Sequence, residues 1–286
     1  MDASAPRKTI PHGAAALVAK AITEAEFQLV RKLAYDIAGI SMAAGKKMLV
    51  ESRLHKRLAA VGVNSYREYL EHIGTSGHEQ ELQTAIDLLT TNETYFFREP
   101  QHFTHLQSHV MRNRKLGQKL RIWSAACSSG EEPYSIAMLL ASARGGGAWE
   151  VLASDLSTRV LERARCGHYP MERARGISQE LLRAFCLRGT GSQSGTMLVD
   201  SQLRSRVQFR QLNLIQPLPS LGLFDVIFLR NVMIYFDMEV KRRVIANLLP
   251  MLVPGGFFYI GHSETLNGVT QGLTQVQPAI YVKEGT

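Results

Sequence analysis

The chain has 286 residues, of which 45% are hydrophobic and 20% are charged. These proportions are ordinary for a globular protein, and they exclude a wholly disordered chain and a collagen-like or coiled-coil filament. No apolar stretch reaches the ~20 residues of a membrane-spanning helix, and residues 1–13 lack the apolar core of a secretory signal. Its three cysteines, which lack metal-ligand spacing, predict neither a disulfide framework nor a metal site. We therefore expect a cytoplasmic protein.

Basic residues outnumber acidic residues by 33 to 25, which gives a net charge of +8. The surplus is local, because residues 92–121 carry +4 and residues 156–210 carry +6, whereas residues 122–155 carry −3. Such a surplus predicts an acidic partner, and nucleic acid, a membrane surface and an acidic protein all qualify.

The front part of the chain is predicted to be helical. Residues 1–20 have the composition of a loose tail, and Thr23 and Glu26 then form a capping-box pattern. No strand pattern precedes residue 119, so we expect residues 21–90 to fold as an all-α helical domain. Helices are predicted from Thr23 to Gly39, over about 45–61, from Asn64, and over about 78–90.

From residue 120 onward, short apolar strands alternate with helices, which predicts an α/β fold with a Rossmann-like parallel sheet. Residues 190–211 interrupt the alternation with a Gly- and Ser-rich start and an extended continuation, so we expect a small antiparallel β-subdomain there. Strands are predicted at 120–126, 149–155, 224–229 and 257–261, with helices at 133–143, 157–166 and 240–252.

The loop after the first strand consists of small residues and ends in Glu131 and Glu132. Ligands of such sheets bind at the carboxyl ends of the strands, and two glutamates there disfavour a pyrophosphate and favour a cationic group. Asp155 ends the next strand and can accept both hydroxyls of a ribose, although capping of the following helix explains it equally well. Together these residues predict a nucleoside with a cationic tail, such as S-adenosylmethionine (SAM).

Four stretches resemble the chemotaxis receptor glutamate methyltransferases, the CheR family. The helical front part and the interrupting segment agree in order, so the resemblance extends over nearly the whole chain from about residue 24. It implies a class I SAM-dependent methyltransferase domain over residues 91–286, preceded by the all-α domain. The four stretches are 88–99 (LLTTNETYFFRE), 123–135 (WSAACSSGEEPYS), 229–236 (LRNVMIYF) and 261–264 (GHSE).

The resemblance also implies roles for the matching residues. Asp155 would hold the ribose hydroxyls, Glu131 would face the methionyl ammonium, and Arg98 would face the methionyl carboxylate. Arg98 and Tyr235 are the expected catalytic residues, with Tyr235 near the transferred methyl group. Cys127 departs from the small apolar residue that is usual in the family, but buried cysteine behaves as a small hydrophobe. The implied cofactor contacts are Asn92, Thr94, Arg98, Glu131, Asp155, Asn213, Leu214, Arg230 and Asn231.

The implied reaction moves a methyl group from SAM to the side-chain carboxylate of a receptor glutamate, leaving S-adenosylhomocysteine. Glutamate has a pKa near ~4.3, so the substrate is already anionic at neutral pH and needs no general base. Opposite charges cancel as the bond forms, so a dry pocket favours the reaction. Alignment of the reactants can supply about 7–11 kcal/mol.

One face of the second predicted helix is basic. Lys46, Arg53 and Arg57 fall within about 40° of one another at 100° per residue, and Lys56 lies beside them. We expect this face to dock the acidic methylation helices of a chemoreceptor, whereas a solvated face without a partner is the structural alternative. In some family members the β-subdomain captures a peptide from the receptor's C-terminus, and residues 190–211 are the expected position for that contact.

Two other functions stay open. A nucleic-acid methyltransferase would explain the charge and the fold, but the chain has no Asn-Pro-Pro-Tyr-type motif and no evident stacking surface. A non-catalytic SAM-binding interaction module is the second. Taken singly, Asn92 and Thr94 could be helix caps, Arg98 a surface ion pair and Tyr235 core. We expect a monomer that binds neither nucleic acid nor the membrane interior.

Overall fold

The computed structural model describes residues 21–111, 119–142 and 148–285. The tail expected at residues 1–20 lies outside this part of the chain, as does the last residue of the helix predicted at 133–143. Within the described ranges, no helix is both long and apolar enough to cross a membrane.

The predicted front helices are confirmed. Thr23 and Glu26 form the expected capping box, and Gly39 ends the first helix in the left-handed conformation at φ 69°. A separate hydrophobic core, in which Phe27 and Leu54 are buried, holds the helices together. The helices are α1 (Glu24–Ala38), α2 (Lys47–Val61), α3 (Tyr66–Ile73) and α4 (Glu79–Leu89).

The rest of the described chain forms a large and a small sheet. The strands are β1 (Leu120–Ser124), β2 (Trp149–Asp155), β3 (His168–Pro170), β4 (Cys186–Arg188), β5 (Thr196–Val199), β6 (Val207–Gln211), β7 (Phe224–Leu229), β8 (Leu252–Ile260), β9 (Leu273–Gln277) and β10 (Ile280–Lys283). The large sheet has the order β6-β2-β1-β7-β8-β10-β9. Its first five strands are parallel, and β10 and β9 add an antiparallel edge.

Helices cover both faces of the large sheet, as the α/β prediction requires. Ile122 of β1 packs into one core and its neighbour Trp123 packs into a second core, because successive side chains of a strand point to opposite faces. The Rossmann-like class I architecture is therefore confirmed. The helices of this part are α5 (Pro100–His105), α6 (Glu131–Ser142), α7 (Thr158–Cys166), α8 (Gln179–Phe185), α9 (Ser201–Arg204) and α10 (Met238–Leu248).

The small antiparallel sheet exists, but the predicted range of 190–211 is wrong. It has the order β3-β5-β4, so its outer strands lie before residue 190. Residues 207–211 belong instead to the large sheet, where β6 pairs in parallel with β2. The extended sequence pattern after residue 195 therefore covers two strands that belong to different sheets, β5 of the small sheet and β6 of the large sheet. The outer strands have only three residues each, which is too short to show a periodicity.

The helical part packs against loops that follow the carboxyl ends of the parallel strands. The backbone N–H of Ser41 donates to the carbonyl of Tyr235 at 2.8 Å. Asp87 of α4 accepts from the backbone N–H of Thr158 at 3.2 Å and from its hydroxyl at 2.8 Å, at the start of α7. The helical part therefore covers the edge of the sheet where ligands of α/β folds bind.

Candidate cofactor and substrate site

A cavity of about 430 Å³ lies between the helical part and the carboxyl ends of β1, β2 and β7. Three of the predicted site residues, Glu131, Lys56 and Arg57, do not line it. The structure therefore brings most of the predicted cofactor and catalytic residues to one cavity. The predicted residues that line it are Lys46, Arg53, Asn92, Thr94, Arg98, Asp155, Asn213, Leu214, Arg230, Asn231 and Tyr235.

Asp155 lies at the carboxyl end of β2 with its carboxylate held by backbone donors. The N–H of Ser128 donates to one oxygen at 2.8 Å, and the N–H of Ser157 donates to the other at 3.0 Å. Burial raises the pKa of Asp155 above its ordinary value, and these hydrogen bonds act against the rise. The carboxylate is thus oriented by the loop after β1, with lone pairs left for a ligand in the cavity.

The two glutamates at the start of α6 have different surroundings. Glu131 is fully buried, accepts from the hydroxyl of Ser129 at 2.7 Å and forms an ion pair with Arg173. Glu132 lines the cavity, and its carboxylate lies 2.8 Å from the Arg230 guanidinium. Consecutive side chains of a helix point about 100° apart, so Glu131 points away from the cavity that Glu132 lines. This arrangement disagrees with the expectation that Glu131 faces the cofactor.

Arg230 and Asn231 follow β7 and are held by acidic side chains. The Arg230 side chain is 2% exposed, and its Nη2 lies 3.0 Å from Glu99 Oε2. Asn231 donates its Nδ2 to Glu99 Oε1 at 3.3 Å and its backbone N–H to Glu264 at 2.9 Å. Glu99 and Asn231 each have φ 58°, a left-handed conformation that non-glycine residues seldom adopt. Glu99 and Glu264 were missed in the sequence, although both lie in the motif stretches.

Opposing effects set the pKa of Glu99. Burial alone would raise this pKa, but the charge of Arg230 and hydrogen bonds from His262, Arg230 and Asn231 lower it below its ordinary value. Glu99 is therefore ionised at neutral pH and balances the charge of Arg230.

The segment between α4 and α5 forms one wall of the cavity. The carbonyl of Asn92 accepts from the hydroxyl of Ser128 at 3.0 Å, which joins this segment to the loop after β1. Arg98 donates to the carbonyl of Glu93 at 3.0 Å, and its guanidinium lies 5.6 Å from the centre of the Tyr95 ring. Arg98 thus has a cationic group at the cavity that no carboxylate among the described residues neutralises by an ion pair.

Asn213 and Leu214 lie on the loop after β6. The side-chain amide of Asn213 donates to the carbonyl of Ile37 at 2.6 Å, so this amide joins the α/β part to α1. Leu214 is 8% exposed and gives the cavity an apolar surface. Tyr235 also lines the cavity, and its hydroxyl has no hydrogen-bond partner in the described ranges, so it is available to a ligand.

Of the four predicted docking cations, Lys46 and Arg53 line the cavity, whereas Lys56 and Arg57 do not. Arg53 lines the cavity and donates to the carbonyls of Leu89 and Thr90 at 2.9 and 3.1 Å, and the exposed Lys46 also lines it. Arg57 forms two hydrogen bonds with the carboxylate of Glu81, at 2.9 and 2.5 Å. Lys56 is exposed away from the cavity. Arg53 and Arg57 thus have intrachain partners.

The architecture agrees with two matches to known families. Residues 25–90 match "CheR methyltransferase, all-alpha domain", and residues 92–282 match "CheR methyltransferase, SAM binding domain". This chain belongs to the CheR methyltransferase family. The cofactor of its second domain is accordingly SAM.

Individual relatives match this chain along most of its length. The chemotaxis protein methyltransferase of Escherichia coli is 40% identical over 264 residues, with 91% of each chain covered. Chemotaxis protein methyltransferase 2 of Pseudomonas aeruginosa is 42% identical over 262 residues, with 91% of this chain and 93% of that one covered. The chemotaxis protein methyltransferase of Salmonella typhimurium is 39% identical over 264 residues, again with 91% of each chain covered.

Proposed function

We propose that this chain transfers a methyl group from SAM to glutamate side chains of chemoreceptors, forming methyl esters in chemotactic adaptation. The observation that carries the proposal is that Asp155, Arg98 and Tyr235 all line one cavity. The helical domain covers this cavity and adds Lys46 and Arg53 to its wall. A site with these groups suits a nucleoside cofactor and an anionic substrate.

The cofactor would be held by residues from several elements. Asp155 would accept the ribose hydroxyls, and Leu214 would contact the adenine together with the backbone of Asn213. We assign the methionyl ammonium to Glu132 in place of Glu131, because Glu132 lines the cavity and Glu131 does not. Arg98 would pair with the methionyl carboxylate. Asn92, Thr94, Arg230 and Asn231 complete the wall around these groups.

SAM supplies a methyl group that is activated on a sulfonium. The chain's own residues then need only to position the acceptor carboxylate and exclude water from it. No histidine lines the cavity among the described residues, which agrees with a substrate that is already ionised and needs no general base. The free hydroxyl of Tyr235 would donate to one oxygen of that carboxylate, leaving the other oxygen to attack the methyl carbon.

The partner would be the cytoplasmic helical domain of a receptor, so we place the protein in the cytoplasm. Lys46 and Arg53 would be the docking cations, because both line the cavity that a receptor glutamate would enter. Arg57 would stabilise the helical domain through Glu81 instead of meeting the receptor. A receptor peptide on the small sheet, and a monomeric state, stay predictions.

A direct test incubates the purified chain with SAM carrying a radiolabelled methyl group and with membranes that contain chemoreceptors. The expected product is label on the receptor that mild base releases, because methyl esters hydrolyse in base. Asp155→Asn should reduce the label by about tenfold or more at limiting SAM, in line with its weaker SAM binding. Base-stable label, or label on added RNA or DNA, would contradict the proposal. If calorimetry shows SAM binding while no acceptor is labelled, the chain is an interaction module.

A further inference from the structure

Three potential metal ligands meet beside the cavity wall, and none of them lines the cavity. Oε2 of Glu99 lies 3.5 Å from Nδ1 of His102 and 3.9 Å from Nε2 of His262. The three ligand atoms all lie within 4.8 Å of one another. His102 belongs to α5, whereas His262 follows β8, so the cluster joins two separate parts of the chain.

The imidazole of His102 is the least satisfied polar group in this region. Its side chain is fully buried, and neither ring nitrogen has a hydrogen-bond partner in the described ranges. Buried polar atoms in native proteins nearly always have a partner, and an unpaired one requires an explanation such as an ion. Nδ1 faces Glu99, so a cation between the two side chains would satisfy it.

The surrounding charges favour a cation. Arg230 contributes one positive charge and lies beside two carboxyl groups, those of Glu99 and Glu132. A third carboxyl group, that of Glu264, accepts from the backbone N–H of the adjacent Asn231. Glu99 is also held in place by Arg230 and Asn231, and by the backbone N–H of His262 at 3.2 Å. Oriented ligands of this kind are typical of metal sites, where outer hydrogen bonds fix the carboxylate. The His262 side chain is 41% exposed and provides a route for the ion.

We propose that Glu99, His102 and His262 bind a divalent transition metal of the zinc type. Two imidazoles and one carboxylate suit zinc, cobalt or iron, whereas magnesium and calcium prefer oxygen ligands alone. Zinc–nitrogen and zinc–oxygen bonds are about 2.0–2.2 Å long, so the observed separations need only a small approach of the exposed His262. The bound ion would fasten α5 to the loop after β8, behind Arg230.

A direct hydrogen bond is the simpler explanation for the pair Glu99 and His102, because Nδ1 needs to approach Oε2 only slightly. That explanation requires no ion and gives His262 no part. The two explanations therefore differ in whether the protein binds a metal and in whether His262 is needed for binding.

The experiment titrates Co²⁺ into the full chain, without a histidine tag and after treatment with a chelator. We expect one equivalent to bind with visible absorption bands of a four- or five-coordinate ion, Zn²⁺ to displace it, and the melting temperature to rise. His262→Gln should weaken Co²⁺ binding more than about 100-fold, since losing even an outer partner of a ligand costs about 10–100-fold. Neither measurement depends on SAM or on methyl transfer.

His78→Gln is the matched control, because the half-buried His78 lies outside the cluster and also has a second histidine nearby, with its ring 3.8 Å from that of His72. This variant should bind Co²⁺ as the parent chain does. Circular dichroism of each variant shows whether it is folded. Absence of stoichiometric Co²⁺ binding by the parent chain would overturn the proposal. Equal binding by folded His262→Gln would overturn it as well, as would loss of binding in His78→Gln alone.

Discussion

The guanidinium of Arg173 pairs with the carboxylate of Glu131, which is fully buried under the loop after β1. Arg173 lies next to the small sheet, whereas Glu131 begins α6. The neighbouring Tyr169 strengthens the same contact, because its hydroxyl donates to the carbonyl of Ser129 at 2.6 Å. The small subdomain therefore supports the loop that orients Asp155.

Removing this support should destabilise the protein. Arg173→Ala leaves a buried carboxylate without its cation, and we expect the free energy of unfolding to fall by about 1–3 kcal/mol. Urea denaturation measures the change. The double variant Arg173→Ala with Glu131→Gln should recover part of the loss, because it no longer buries an unpaired charge. An unchanged midpoint in Arg173→Ala would show that the ion pair contributes nothing.

The affinity for SAM should depend on pH through Asp155. Burial raises the pKa of this carboxyl above its ordinary value of 3.8, so it becomes protonated at a higher pH than an exposed aspartate. SAM affinity should therefore decline on acidification, as the negative acceptor is lost. Asp155→Asn should weaken binding at pH 7 by about tenfold or more, because hydrogen bonds to charged groups are worth about 1.5–3 kcal/mol. Calorimetry at several pH values should show that the SAM affinity of Asp155→Asn, unlike that of the parent chain, does not fall on acidification.

Reversing one exposed cation at the cavity should separate docking from cofactor binding. Lys46→Glu is expected to slow receptor methylation by about tenfold at low salt, because it removes electrostatic attraction for an acidic partner. Its SAM affinity should equal that of the parent chain. Lys56→Glu makes the same charge change on α2 away from the cavity, and it should cost much less. Equal losses in both variants would show that docking depends on the total positive charge of this basic face and not on the charge that lines the cavity.

Arg57 should affect stability, with a definite pH dependence. Burial alone would raise the pKa of Glu81, but hydrogen bonds from Arg57 and Tyr69 bring it below the ordinary value of 4.5. A lowered folded-state pKa means that the stabilisation is present above pH 4.5 and is lost as the pH falls through the folded-state pKa. Arg57→Ala should therefore lower the free energy of unfolding by about 1–2 kcal/mol at pH 7. A deficit that persisted unchanged in acid would contradict this account.

Tyr235 should act on the rate of transfer more than on cofactor binding. Tyr235→Phe removes only the hydroxyl that has no partner in the described ranges, so the fold should be unaffected. We expect kcat to fall by up to about tenfold, as one hydrogen bond is worth about 0.5–1.5 kcal/mol, with SAM affinity unchanged. Arg98→Ala should show the opposite pattern, with weaker SAM binding. A parent kcat in Tyr235→Phe would contradict the role of Tyr235, and a parent SAM affinity in Arg98→Ala would contradict the role of Arg98.

Features encoded by neighbouring residues were predictable. The capping box of Thr23 and Glu26 and the left-handed end at Gly39 depend on contacts within one turn of helix, and both are observed. Asp155 was predictable for a similar reason, since the end of an apolar strand locates a ligand edge in any parallel sheet. The family motifs added residues that no local pattern would single out, such as Arg98 and Tyr235.

Features decided by distant contacts were not predictable. Arg57 looks like a surface cation until α4 brings Glu81 against it. The choice between Glu131 and Glu132 depends on how α6 is rotated, and its packing against β2 of the large sheet and against α8 and α9 decides this rotation. β6 belongs to the large sheet because its backbone pairs with β2, a strand more than 50 residues earlier in the chain.

The sequence by itself determined the two-part organisation, the order of the main strands and helices of the large sheet, and the residue types of the cavity, because these follow from local periodicity and motif spacing. Tertiary structure alone decided which charges meet. It buried Glu131 against Arg173, placed Glu99 between Arg230 and two histidines, and left Lys46 exposed on the cavity wall. The physical reason is that the environment of a charge is set by neighbours far away in the chain, and periodicity carries no information about them.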